Sequence, residues 1–329
     1  MKVLFIGGSG VISSACTQLA IEKGLDLTLL NRGKSTHDVP AGVKTLHADI
    51  RDPKAVLKVL GKQSFDVVVN WIAFTPDHIE TDLKLFRGRT GQYIFISSAS
   101  IYQTPPKLLP ITESTPLYNP YWAYSRNKIA CEERLVRAYQ EEDFPMTIVR
   151  PSHTYDQTKL PLQGQYTVVD RMRKGEKIVV HGDGTSLWVL THHRDFARGL
   201  VGLLAHPQSI GQAIHITSDE VLTWNQIAEM IARAAGVDAQ IVHIPSQIIA
   251  RHHSDWGDSL MGDKAHSVIF DNTKIKQLVP DYVATIPFAR GIEEVIAWYD
   301  ADPARQMIDH EFDQLIDRLI TAYEKVTVN

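Results

Sequence analysis

Val3-Leu4-Phe5-Ile6-Gly7-Gly8-Ser9-Gly10-Val11-Ile12-Ser13 stands near the start of the chain, and its reading decides the fold. Four consecutive apolar residues read as a short strand buried on both faces. Glycines follow at once, and then a helical pattern over residues 11–23. A strand running through a glycine turn into a helix begins a βαβ unit. The turn also has a chemical use. Without a Cβ, backbone N–H groups can approach an anion, and the helix N-terminus adds a favourable dipole. Gly7, Gly10, Val11 and Ile12 are therefore candidate contacts for the pyrophosphate of a dinucleotide.

Outward from this stretch, apolar runs at residues 25–30, 43–47, 67–70, 93–97 and 146–149 read as further strands. Helical patterns separate them, one of them opening at Asp52-Pro53. This alternation predicts an α/β fold with a doubly wound parallel sheet and ligands at the C-terminal strand ends. The second half is less regular. Residues 161–184 are rich in glycine, basic residues and turns, and 223–235 form an amphipathic pattern with Thr223 as N-cap. Residues 251–266 read as a loop over something, and 312–325 as a helix. The expected organisation is a dinucleotide-binding domain at 1–160, with a returning segment at about 190–217. A smaller, interleaved substrate domain takes 161–189 and 218–329.

The 329 residues are 44% hydrophobic and 22% charged, with a formal net charge of −4. That balance disfavours nucleic acid and anionic membrane surfaces as partners and leaves a small-molecule substrate. The two cysteines, Cys16 and Cys131, fall in expected helices and fit a reducing compartment. No apolar run is long enough to span a membrane, so a cytoplasmic protein is expected. His252-His253 and Asp255 lack a second ligand pair, and no metal site is expected.

The second strand ends at Leu30-Asn31-Arg32-Gly33, where a carboxylate would hold a ribose 2′-hydroxyl. Neutral Asn31 followed by Arg32 favours a 2′-phosphate, hence NADP(H), with NAD(H) as the alternative. Asp49 and Ile50, after the third strand, are candidates for the adenine. As a plain reading, Asp52 before Pro53 caps a helix.

Ser97-Ser98-Ala99-Ser100 follows the fifth strand, and Tyr124-Ser125-Arg126-Asn127-Lys128 comes later. Tyr124 and Lys128 are four apart and share a helix face. Hydride exchange at a carbinol carbon needs a group that moves the hydroxyl proton. A phenol can do this when an ammonium lowers its pKa, and a serine hydroxyl can orient the substrate oxygen.

Several stretches now converge. Gly7-x-x-Gly10-x-x-Ser13, Pro110-Ile111-Thr112-Glu113 with Tyr124-Ser125-Arg126-Asn127-Lys128, Arg150-Pro151-Ser152-His153-Thr154-Tyr155 and Gly182-Asp183-Gly184 resemble the extended short-chain dehydrogenase/reductase family. The resemblance implies Ser98, Tyr124 and Lys128 as the catalytic set, with Tyr124 and Lys128 also on the nicotinamide ribose. It further implies Ala73, Pro151 and His153 against the cofactor, and a homodimer paired through the Tyr124 helix and the long helix before it.

The departures bear on substrate. Related 4,6-dehydratases carry Asp-Glu after their Ser/Thr; Ala99-Ser100 here supplies no carboxylate, so a dehydratase is rejected. Related epimerases carry asparagine near His153 and arginine near Trp188; a tryptophan cannot pair with phosphate, which disfavours a nucleotide-sugar without removing it as the alternative. Trp71, Phe74, Trp122, Tyr155 and Trp188 are expected near the strand ends, with Phe74, Ser100 and Trp188 as pocket residues. The expected function is oxidation, reduction or epimerisation at a hydroxyl or keto group of a carbohydrate-like substrate. Phe5-Ile6-Gly7-Gly8-Ser9, Asn31-Arg32-Gly33 and Ser97-Ser98-Ala99 are also similar to the chloroplast stem-loop-binding subgroup, which implies an RNA-binding alternative.

Overall fold

The computed structural model describes residues 1–33 and 39–327. Along the chain, β1 (Lys2–Ile6), α1 (Ser13–Glu22), β2 (Asp26–Asn31), β3 (Lys44–His47) and α2 (Pro53–Leu60) come first. β4 (Phe65–Asn70), α3 (Pro76–Phe86), β5 (Thr90–Ile96), α4 (Ala123–Glu142) and β6 (Met146–Pro151) continue the alternation. Next are β7 (His153–Tyr155), α5 (Tyr166–Arg173), β8 (Lys177–His181), β9 (Leu187–Trp188), β10 (Leu190–His192) and α6 (His193–Gly202). β11 (Ala213–Ile216), β12 (Leu222–Thr223), α7 (Trp224–Ala234) and β13 (Gln240–Ile244) follow. The chain ends in α8 (Ser246–His252), α9 (Ser254–Ser259), α10 (Thr273–Leu278), α11 (Phe288–Asp300) and α12 (His310–Thr327).

Seven parallel strands form the main sheet in the order β11-β6-β5-β4-β1-β2-β3. Alternate residues of β1 feed two cores. Val3 and Phe5 join α1 and α6 on one face; Leu4 and Ile6 join α2, α3 and α4 on the other. This is why the strand reads as an unbroken apolar run: both faces are covered. The order reverses between β1 and β4, where such sheets open their ligand crevice. A third core is built from α5, β8, α7, α11 and α12, with Trp188, Trp224 and Trp256 within it.

Two sequence expectations change. Residues 251–266 are not a loop: they hold the end of α8, all of α9 and a π-turn at Leu260–Lys264. These short helices persist because Trp256 and Leu260 are buried in the third core, not through helix propensity. Residues 161–184, expected as turns, contain α5 and β8. Thr223 caps α7 as expected, in a reciprocal box with Gln226. Asp52 caps α2 from its side chain. Cys16 and Cys131 are buried, unpaired thiols.

Candidate active site

The glycine loop joins β1 to α1. Gly7 and Gly8 adopt φ of 102° and 101°, a region that favours glycine. A Cβ on Gly8 would also lie 2.7 Å from Leu29 Cδ2. Thr17 Oγ1 donates to the Gly8 carbonyl at 2.7 Å, which fixes the loop against α1. Ser13 Oγ accepts from Gly10 N–H at 2.8 Å, so the serine in the third position closes the turn itself. Ile12 precedes α1 without a capping side chain, and the first turn carries no acid. Helix N–H groups left without a side-chain acceptor suit an anion.

Beside the loop lies a cleft of about 410 Å³. Gly7, Asn31, Arg32, Asp49 and Ile50 line it together with Arg51 and Phe74. Asn31 Oδ1 accepts from Gly33 N–H at 2.9 Å, and Asp49 Oδ1 from Arg51 N–H at 3.0 Å. Arg51 donates to the Ile72 carbonyl, and its guanidinium feels the charge of Arg32. Phe74 belongs to this cleft. Expected beside Ser100 and Trp188, it lines a different cavity from the one they share.

α4 carries Tyr124 and Lys128. A buried ion pair holds this helix to β6: Arg150 donates to Glu132 at 2.6 and 3.1 Å, and to Tyr102 Oη at 3.1 Å. Lys128 is buried, and its ammonium donates to the carbonyls of Ala73 and Ile96, each at 2.7 Å. It also lies 4.7 Å from the Phe74 ring centroid and 5.8 Å from that of Tyr124. Burial lowers its pKa to about 8.

The Tyr124 ring lies 4.9 Å from that of Trp122, tilted by 42°, and 6.5 Å from Phe74. Burial pushes its phenol up to about 12, opposed by a hydrogen bond from Ser98, while the Asp263 charge adds to the rise. The sequence predicts depression of this pKa by Lys128; burial raises it instead. The reason is geometric: the ammonium is turned to two backbone carbonyls and phenyl rings. Ser98 Oγ lies 2.9 Å from Ser100 Oγ, which lies 2.8 Å from Ser125 Oγ. Ser125 was not singled out in the sequence.

Ser98, Ser100 and Tyr124 open into a second cavity of about 370 Å³. Pro151, His153, Trp122 and Trp188 line it, with Trp224, Trp256, Asp263 and Lys264. Pro151 and His153, expected against the cofactor, share this cavity with Tyr124. The Trp188 indole N–H donates to His153 Nδ1 at 3.2 Å, which leaves the histidine proton on Nε2. Burial, followed by the charges of Lys264 and Lys159, lowers the pKa of His153 to about 3. Donation from this side chain to a ligand therefore rests on the neutral Nε2–H alone.

The aromatic set divides. Trp122 and Trp188 line the cavity, whereas Trp71 packs between Phe5 and Phe196, and Tyr155 against His192 and Phe288. Tyr155 is buried in the core and Trp71 is half-buried against it, so neither lines the cavity. Asp263 and Lys264 were missed; the concentration of Asp, His and Gly in 251–266 was the available signal.

A glycine loop at the switch point, with a cleft and a Tyr–Lys helix beside it, defines a Rossmann-type α/β fold. Residues 3–217 match the NAD dependent epimerase/dehydratase family, and the chain belongs to it. The resemblance to extended short-chain dehydrogenases is borne out. The chain is 24% identical to 2'-dehydrokanamycin reductase of Streptomyces kanamyceticus over 286 residues, 86% of this chain and 80% of that protein. It is 25% identical to the chloroplast stem-loop binding protein of 41 kDa b of Arabidopsis thaliana over 261 residues, 74% of this chain and 65% of that protein. UDP-glucose 4-epimerase from Bifidobacterium longum, solved in complex with NAD+ and UDP, shares the fold with a TM-score of 0.74. That match is 19% identical and covers 92% of this chain and 99% of the other. No described helix is long and apolar enough to cross a membrane.

Proposed function

We propose that the chain is an NAD(P)-dependent oxidoreductase or epimerase acting on a hydroxyl or keto group of a carbohydrate-like substrate. The observation that carries this reading is the position of Tyr124 between two cavities. Its ring meets Phe74 of the cleft beside the glycine loop, while Ser98 and the indoles of Trp122 and Trp188 share its other cavity. A 4,6-dehydratase reading fails for lack of a carboxylate at Ala99-Ser100.

The residues fit a nicotinamide dinucleotide. Gly7, Gly10, Val11, Ile12 and the uncapped start of α1 would hold its pyrophosphate, and Asp49 and Ile50 its adenine. Arg32, within electrostatic reach of Arg51, favours a 2′-phosphate and hence NADP(H) over NAD(H). Lys128 has three ammonium N–H groups, two of them on Ala73 and Ile96, so one remains for a ribose hydroxyl. When bound, the cofactor supplies the hydride acceptor or donor.

The chain's own residues handle the proton. Ser98 orients the substrate oxygen towards the Tyr124 phenol. With a pKa near 12 the phenol stays protonated at neutral pH, which suits donation to a ketone oxygen as reduction proceeds. Oxidation uses the same residues in reverse. Tyr124→Phe keeps the ring contact with Trp122 and removes only the proton carrier. Turnover should fall by roughly 10²–10⁴, read as nicotinamide absorbance on a reducible sugar ketone, with cofactor affinity unchanged. Wild-type turnover in this variant, where chemistry limits the rate, overturns the assignment.

The similarity to the stem-loop binding protein supports a second reading, as an RNA-binding member of the fold. The net charge of −4 weighs against it. An RNA mobility shift that survives physiological salt would reverse the order.

A further inference from the structure

The substrate-side cavity contains an arrangement that hydride chemistry does not use. The π-turn Leu260–Lys264 inserts an extra residue into a helix end, a device that re-aims side chains and is frequent at functional sites. The turn is pressed onto the segment leading into α4. A Cβ on Gly262 would lie 2.7 Å from Trp122 Cβ, and the Gly262 carbonyl accepts from Asn119 Nδ2 at 2.6 Å. Asp263 and Lys264 are thereby delivered to the cavity that holds Tyr124.

Lys264 Nζ lies 5.5 Å from the Trp122 ring centroid and 5.8 Å from that of Trp188. Asp263 Oδ2 is 3.6 Å from the same ammonium. Two indoles and a carboxylate around one ammonium is the arrangement by which proteins recognise cationic ligands. The pair with Lys264 at 3.6 Å uses only part of the carboxylate, whose remaining lone pairs can accept from a second donor. Burial raises the Asp263 pKa only to about 6, which leaves it mainly ionised at neutral pH.

We propose that this cavity takes an amino sugar or aminocyclitol, whose ammonium pairs with Asp263 between Trp122 and Trp188 and displaces the side chain of Lys264. Lys264 is then a resident stand-in: its flexible stem carries the displaced ammonium towards solvent. The inference rests on the oxidoreductase reading, because it places the ammonium on the same ring system as the hydroxyl or ketone facing Tyr124.

Quenching of tryptophan fluorescence reads binding without turnover. The probes are methyl glucosaminide, methyl glucoside and methyl glucuronoside, each titrated with NADPH present, and NADPH titrated alone. The glucosaminide should bind roughly tenfold or more tighter than the glucoside, and Asp263→Asn should remove that advantage. Lys264→Met should tighten glucosaminide binding, since it deletes the competitor. That gain keeps the test decisive even if Asp263→Asn fails to fold. Equal binding of glucosaminide and glucoside overturns the proposal. So does a preference for the glucuronoside that Lys264→Met abolishes, which would make Lys264 an anion receptor. NADPH binding with no response to any sugar refutes this inference and leaves the oxidoreductase reading standing. Failure to bind either NADPH or NADH sinks both.

Discussion

Asp82→Asn should weaken this fold at acid pH and cease to weaken it above neutrality. Asp82 lies on α3 with no solvent exposure. Its Oδ2 accepts from both Tyr93 Oη and Asn70 Nδ2, while Oδ1 has no hydrogen bond among the described residues. Burial raises its pKa from 3.8 to about 7, against the opposing pull of Tyr93, Asn70 and the Arg51 charge. The folded chain therefore binds more protons than the unfolded one between these values. The stabilising contribution is complete below 3.8 and is lost as pH rises through about 7. At about 1.4 kcal/mol per pH unit, the full swing is about 4 kcal/mol.

Asparagine has no charge to lose. Its Oδ1 can take the place of Oδ2 and keep both bonds, but its amide N–H groups then stand buried where Oδ1 has no partner, at about 1–3 kcal/mol. Urea unfolding followed by tryptophan fluorescence should find the variant less stable at about pH 4.5. It should equal or exceed the wild type at about pH 8. A stability difference that stays flat with pH would refute the reasoning. The network matters to the site because Asn70 Oδ1 also accepts from Ile72 N–H at 2.8 Å. That bond fixes the turn whose Ala73 carbonyl receives Lys128.

Arg32→Ala should weaken NADP(H) selectively in fluorescence titrations; equal loss for NAD(H) would show that Arg32 does not read the 2′-phosphate. Lys128→Met should lower both turnover and cofactor affinity. In the wild type, cofactor affinity should fall as pH climbs past about 8, where this lysine loses its proton, and the variant should lack that step. α3 and α4 lie side by side and are joined by the Arg134–Glu80 ion pair. If they pair across a two-fold as expected, light scattering at micromolar concentration will give twice 36.9 kDa, whereas a monomer mass ends the idea.

What the sequence revealed depended on how each residue is positioned. β1 and β4 were legible because strands covered on both faces are written as contiguous apolar runs. Tyr124 and Lys128 were legible because an i,i+4 pair shares a face on any helix. β11 belongs to the same sheet but was not read as a strand, since His215 interrupts its apolar run. That histidine is buried with Nδ1 3.1 Å from Tyr102 Oη and Nε2 on the Asp271 carbonyl, partners that only the folded chain supplies. The aromatic set failed for a related reason. The positions of Trp71, Phe74 and Tyr155 suggested a shared pocket, but Trp71 packs between Phe5 and Phe196, Tyr155 against Phe288, and Phe74 lines the cleft beside the glycine loop. Asp263 and Lys264 were further from reach. Their approach to Tyr124 depends on a π-turn, on Gly262 lying flush against Trp122, and on Asn119 holding the Gly262 carbonyl. None of these leaves a periodic trace. Chemistry common to the family is therefore carried by local spacing, whereas substrate recognition is assembled from distant segments whose convergence no motif records.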